Sequence, residues 1–257
     1  MSASSPGSLH GAAGVSGALG ILGGMGPLAT ADFFAKLVAL TPAARDQDHV
    51  PVLIASLPDI PPRVPAILAQ GASPLPALLA ARDRLLAAGA TMLAMPCNTA
   101  HHWFDALADC AAPMLHIADA AMQALEREAP AVASAGLVAT RGTLTSGFYQ
   151  RRLRAAGLAP VEPDEALLAQ VIEPAVAAVK AGAVAEGGRG FQRAAQALHD
   201  RGAHGIILAC TEVPPALAAV GPPAGFVCID ATAALARACI DAWRALPPAE
   251  PALRRPG

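Results

Sequence analysis

Ala88-Gly-Ala-Thr-Met-Leu-Ala-Met-Pro-Cys97 returns, in outline, as Arg201-Gly-Ala-His-Gly-Ile-Ile-Leu-Ala-Cys210. Each stretch opens on a glycine turn, runs through a short apolar segment and ends on a cysteine, 113 positions apart. Two further echoes keep the same order. Gly20-Ile-Leu-Gly-Gly-Met-Gly26 is answered by Gly136-Leu-Val-Ala-Thr-Arg-Gly142, 116 positions on, and Leu115-His-Ile-Ala-Asp119 by Val227-Cys-Ile-Asp230. One such match carries little weight; three in order at nearly one offset point to a duplicated half with pseudo-two-fold symmetry.

Working outward, short apolar runs alternate with longer amphipathic stretches. Strands are expected over 19–22, 52–56, 92–95, 114–117, 135–138, 206–209 and 226–229, and helices over 29–40, 74–88, 147–156, 167–180 and 191–201. This alternation predicts an α/β fold: two pseudo-symmetric parallel-sheet subdomains with flanking helices and the active site in the cleft between them. The expected division is a disordered lead-in over 1–18, a first subdomain over 19–116 plus 228–246, a second over 117–227 and a flexible tail over 247–257. The segment after Cys228 should form a helix that packs back on the first half.

Hydrophobic residues make up 54% of the 257 and charged residues 15%, so the chain can bury a sizeable core. A net charge of −2 gives no reason to expect nucleic acid or an anionic membrane as partner. No stretch reads as a transmembrane span, and the start of the chain lacks the basic residues of a secretory signal. The five cysteines form no CxxC pair and no disulfide-like framework, so a cytoplasmic chain with reduced thiols is expected. Cys110, Cys228 and Cys239 sit in apolar or helical settings and read as core.

Ligands of open parallel sheets bind beyond the carboxyl ends of the strands. Duplication should therefore set Cys97 and Cys210 at two equivalent strand ends across one cleft. Each is followed by helix-start residues, Asn98 and Thr99 in one case, Thr211 and Glu212 in the other. Exposed N–H groups there should hold a carboxylate and draw the thiol pKa from about 8.5 toward neutrality. Two acid/bases on opposite walls suit removal of an α-proton from one face and its return to the other. Asn98, Thr99 and Thr211 are expected to combine helix capping with carboxylate binding. Thr140 and Thr143 suit either pocket hydroxyls or a turn, and Glu212 either tunes Cys210 or begins a helix. Gly23, Gly24 and Gly26 suggest a strand-to-helix turn, since they miss the dinucleotide spacing. Cys97 with His101 and His102 falls short of a metal set, and no metal is expected.

Ile21-Leu-Gly-Gly-Met-Gly-Pro-Leu-Ala-Thr30, Met95-Pro-Cys-Asn-Thr-Ala-His101 and Ala209-Cys-Thr-Glu-Val-Pro214 resemble the aspartate/glutamate racemase family, most of all its aspartate racemases. The resemblance runs from about Gly20 to Asp230. It implies cofactor-independent racemisation with Cys97 and Cys210 as catalytic acid/bases, Met25 in the substrate pocket, Arg63 as a substrate-binding arginine and Lys180 near the cleft. An arginine fork and a lysine point charge suit an amino-acid dicarboxylate. Pro62 departs from the acidic residue usual before that arginine. The resemblance also implies a homodimer. The same frame serves glutamate or broad-specificity racemases, hydantoin racemases, maleate isomerases and malonate decarboxylases, and a non-catalytic binder of anionic metabolites is the remaining alternative.

Overall fold

The computed structural model describes residues 17–246. Of the lead-in expected over 1–18, residues 1–16 lie outside the described residues, as does the tail over 247–257, whereas Ala18 already belongs to the first strand. Among the described residues eight strands form: β1(Ala18–Gly23), β2(Val52–Ser56), β3(Ala90–Ala94), β4(Met114–Leu115), β5(Ser134–Ala139), β6(Ala159–Val161), β7(Gly205–Ala209) and β8(Val227–Asp230). The helices are α1(Pro27–Leu40), α2(Arg63–Ile67), α3(Leu75–Ala87), α4(Phe104–Ala108), α5(Ile117–Glu128), α6(Arg141–Ser146), α7(Phe148–Ala155), α8(Glu165–Leu167), α9(Glu173–Lys180), α10(Val184–Asp200), α11(Val213–Ala218) and α12(Ala231–Arg244). None of them is long and apolar enough to cross a membrane.

The strands build two four-stranded parallel sheets, ordered β2-β1-β3-β4 and β6-β5-β7-β8. The two orders are the same, which is the duplication expressed as topology. The central strands are largely apolar because parallel strands are covered on both faces; every residue of β5 and β7 is buried.

Three elements depart from expectation, each for a visible reason. β6 carries Pro160, which cannot donate a ladder hydrogen bond, and it sits at the sheet edge where that is tolerated. The helix expected over 167–180 is interrupted by a π turn, Leu168–Ile172, just before Pro174 in the first turn of α9. A proline there removes an amide donor and crowds the preceding turn. Finally, α10 starts at Val184, well before 191, and runs through Gly187, Gly188 and Gly190. Those glycines let helices touch: a Cβ at Gly187 would lie 2.4 Å from Val179 Cγ2, and one at Gly188 2.4 Å from the Ala216 carbonyl oxygen.

One core joins the halves. Leu19, Ile21 and Met92 of the first sheet and Leu137, Ile207 and Ile229 of the second pack on a shared layer of α1, α5, α7 and α12. Separate cores lie on the outer faces, against α3 on the first sheet and against α9, α10 and α11 on the second. Cys228 to Asp230 lie in β8 and so in the second sheet, and the return to the first half begins at Ala231. There α12 packs on α1 and α5, Trp243 Nε1 donates to the Gly17 carbonyl at 3.4 Å, and Arg244 donates to Pro42 at 3.0 Å. Asp230 caps α12 through the amides of Thr232 and Ala233, while its second oxygen meets Lys36 Nζ of α1 at 2.7 Å.

Candidate active site

Cys97 follows β3 by three residues and Cys210 follows β7 directly. Both thiols open onto one cavity of about 340 Å³ at the carboxyl ends of the strands, and each is about 95% buried or more. Met25, Arg63, Asn98, Thr99, Lys180 and Thr211, all singled out in the sequence, share its wall. Thr143 does not: it is 1% exposed and sits behind Thr99 and Thr140, whose hydroxyls it meets at 3.2 and 3.1 Å. Thr140 reaches the cavity in its place.

The loop carrying Cys97 is anchored at several points. Thr99 Oγ1 lies 2.9 Å from Thr140 Oγ1, and His102 Nδ1 lies 2.9 Å from Ser146 Oγ, both across to the second half. Tyr149 donates its hydroxyl to Asn98 Oδ1 at 2.7 Å. His101 is pushed down to about 4 by burial and is therefore neutral at pH 7. Its Nε2 accepts from the Ile117 amide at 3.1 Å, which leaves the Nδ1 proton to bond the Cys97 carbonyl at 2.9 Å. Among the described residues no group of three or more His, Cys, Asp or Glu is placed to hold a metal ion.

Asn98, Thr99 and Thr211 do not cap helices. Asn98 itself has helical backbone angles, and no side chain caps the short 3₁₀ turn Thr99–Trp103 or α11. The Thr99 and Thr211 hydroxyls and the Asn98 Oδ1 bond other side chains instead, Thr211 Oγ1 to Glu212 Oε2 at 3.3 Å.

Thiol acidity also departs from expectation. Backbone amides do favour the thiolates, that of Ala100 at Cys97 and that of Glu212 at Cys210, but burial outweighs them. Burial pushes the Cys97 thiol up, and Arg63 is the leading counterweight. Cys210 is pushed well above the ordinary thiol range, by burial first and then by the Glu212 carboxylate, which accepts from Sγ at 3.1 Å. Two short helical segments of five and six residues cannot offset so complete a desolvation.

Arg63 is held without the acidic neighbour that Pro62 replaces. Its Nη1 donates to the Ile60 and Pro61 carbonyls at 3.0 Å each, and Nη2 donates to Met25 at 3.3 Å. Lys180 Nζ lies 3.6 Å from Glu212 Oε1, with lysine exposed and glutamate nearly buried. Sequence reasoning missed Arg141 and Glu173 on the wall. Arg141 is fully engaged, its Nη atoms on Glu165 at 2.6 and 2.8 Å and its Nε on Glu173 at 3.0 Å. Of the other cysteines, Cys239 is buried, and Cys110 and Cys228 are only partly so.

Residues 22–239 match the Asp/Glu/Hydantoin racemase family. The chain is similar in structure to an aspartate racemase of Picrophilus torridus, with a TM-score of 0.76 and 30% identity over 89% of this chain and 95% of that one. A broad specificity amino-acid racemase, RacX of Bacillus subtilis (strain 168), is 27% identical over 162 residues, 61% of this chain and 68% of that protein. Glutamate racemase of Francisella tularensis subsp. tularensis SCHU S4 shares the fold at a TM-score of 0.65 and 16% identity, over 88% of this chain and 80% of that one. With a family match across nearly all of the described fold, the chain belongs to the Asp/Glu/hydantoin racemase family and is an amino-acid racemase, an isomerase.

Proposed function

We propose that this racemase interconverts L- and D-aspartate by two-base proton transfer between Cys97 and Cys210, without a cofactor. One observation carries the reading: two thiols from equivalent strand ends share a small cavity whose wall also holds Arg63 and Lys180. One thiolate takes the α-proton from its side, leaving a carbanion, and the opposing thiol delivers its own proton to the other face. The S–H bond formed on one cysteine is balanced by the S–H bond broken on the other, so consecutive turnovers of one enantiomer require the protons to re-equilibrate with solvent.

The two thiols are not equivalent. Arg63 favours the thiolate at Cys97, and Glu212 holds the proton on Cys210. Burial holds both thiols up, and of the two Cys97 therefore gives up its proton the more readily. Arg63 and Lys180 supply the positive charge that a second carboxylate needs. Fixed donors near the first carboxylate stabilise the negative charge that develops as the α-proton leaves.

The test is racemisation of L- and D-aspartate by the purified protein in deuterium oxide, following the α-proton. Conversion both ways with α-deuteration is expected, and Cys97→Ala or Cys210→Ala should lower it by about a thousandfold or more, as loss of a general acid/base does. Folded protein that leaves aspartate unchanged sinks the aspartate reading. Glutamate and other amino acids in the same assay measure breadth, a second reading favoured by the broad-specificity relative.

A further inference from the structure

Asn98 carries an unresolved demand. It is 2% exposed and lines the cavity, yet its Nδ2 has no hydrogen-bond partner within the chain. A buried amide N–H without an acceptor is costly, so an orphan of this kind calls for a partner. The other end of the same amide is tied: Oδ1 accepts the 2.7 Å bond from Tyr149, a residue of α7 that is itself 0% exposed.

Which way round the amide sits follows from Tyr149. Burial pushes the phenol well above its ordinary range, so the O–H is always present and needs an acceptor. With Oδ1 toward Tyr149 that need is met. In the flipped amide, Nδ2 would donate to the phenol oxygen and the buried O–H would be left without an acceptor. One orientation satisfies the tyrosine and the other does not.

We propose that Tyr149 is a positioning residue that locks the Asn98 amide with Nδ2 aimed into the cavity, where it donates to a carboxylate oxygen of the substrate. The inference rests on the racemase reading of this cavity. It assigns the task to one half only: β1 and β5 are offset by 116 residues, and that offset sets Phe33, which has no hydroxyl, against Tyr149. Thr211, the counterpart of Asn98, bonds Glu212 next to it and has no long-range tether.

The experiment compares Tyr149→Phe, Asn98→Ala and the double variant by steady-state kinetics on aspartate and by calorimetric binding of succinate, a dicarboxylate that cannot racemise. Tyr149→Phe should raise KM for aspartate and weaken succinate about five- to tenfold, and should lower kcat as well, because the donor it holds serves both the bound carboxylate and the charge that develops in the transition state. The double variant should bind no worse than Asn98→Ala alone. Additive losses, or a Tyr149→Phe protein that melts lower but keeps its KM and its succinate affinity, overturn the inference. Should Tyr149→Phe fail to fold, Asn98→Asp decides, since it keeps the accepted bond and replaces the donor by a charge. It should bind succinate more weakly than Asn98→Ala, and wild-type affinity would overturn the proposal. A wild-type protein that neither turns over aspartate nor binds succinate overturns the function reading along with it.

Discussion

The loops that carry Cys97 and Cys210 occupy matching places in two sheets of the same order, yet they are held differently. The first is sewn to the opposite half, Asn98 to Tyr149, Thr99 to Thr140 and His102 to Ser146, with His101 gripping the Cys97 carbonyl from behind. The second stays within its own half, where Glu212 bridges the Cys210 thiol and Lys180. A duplicated backbone thus supplies two equivalent strand ends, while unduplicated side chains set one thiol beside an arginine and the other beside a carboxylate. Symmetry positions the pair; its breach makes their surroundings differ.

The largest expected effect separates the two faces outright. A single remaining cysteine can still remove and return a proton on its own side, so each Cys→Ala variant should wash deuterium into one enantiomer of aspartate without inversion. Cys97→Ala and Cys210→Ala should do so with opposite enantiomers, read by NMR of the α-position. Exchange of the same enantiomer by both variants would break the comparison.

A smaller effect probes the carboxylate. Glu212 holds the Cys210 thiol up, so Glu212→Gln should let its pKa fall. In the direction that needs Cys210 as base, the rising limb of the kcat/KM profile should move to lower pH. The opposite direction, with Cys97 as base, should move less, because Glu212 is only a minor influence on that thiol. Equal movement in both directions would mean that Glu212 acts on the whole cavity and not on one thiol.

The smallest effect lies in stability. His101 falls from 6.5 in the open chain to about 4 when folded, so the folded protein binds its proton less readily. The stability it contributes is fully present above 6.5 and is lost as pH falls from 6.5 toward 4, at up to about 1.4 kcal/mol per pH unit. His101→Phe should be less stable at pH 7 and should show a shallower loss through that window in urea unfolding. An unchanged slope would remove His101 from the anchoring of the Cys97 loop. At the matching place 113 residues on stands Pro214, which cannot titrate, so no partner effect is expected in the second half.

The repeat, its parallel sheets and the facing of the two cysteines could be read from the chain because apolar strands ending at a cysteine leave a compact local signal. Seven of the eight strands lie close to where alternation places them. What escaped depends on neighbours distant in sequence. Gly187 and Gly188 look like a turn until α9 and α11 are seen pressed against them, and Pro160 argues against a strand until its edge position is known. Tyr149 reads as one more apolar residue of an amphipathic helix, since nothing near it announces Asn98, 51 residues away. Thiol acidity was misjudged for a related reason. Local helix-start amides are visible in sequence, whereas the desolvation that overrides them is a property of the closed cavity.

The path of α12 has a topological consequence. Trp243 reaching Gly17 means that the polypeptide enters and leaves the described fold side by side. A short linker across that gap would close the chain into a ring, which could then be reopened at an exposed turn such as the one around Gly157 and Leu158. The order of the halves along the chain is therefore a matter of where the ring is cut, and the cleft belongs to the ring.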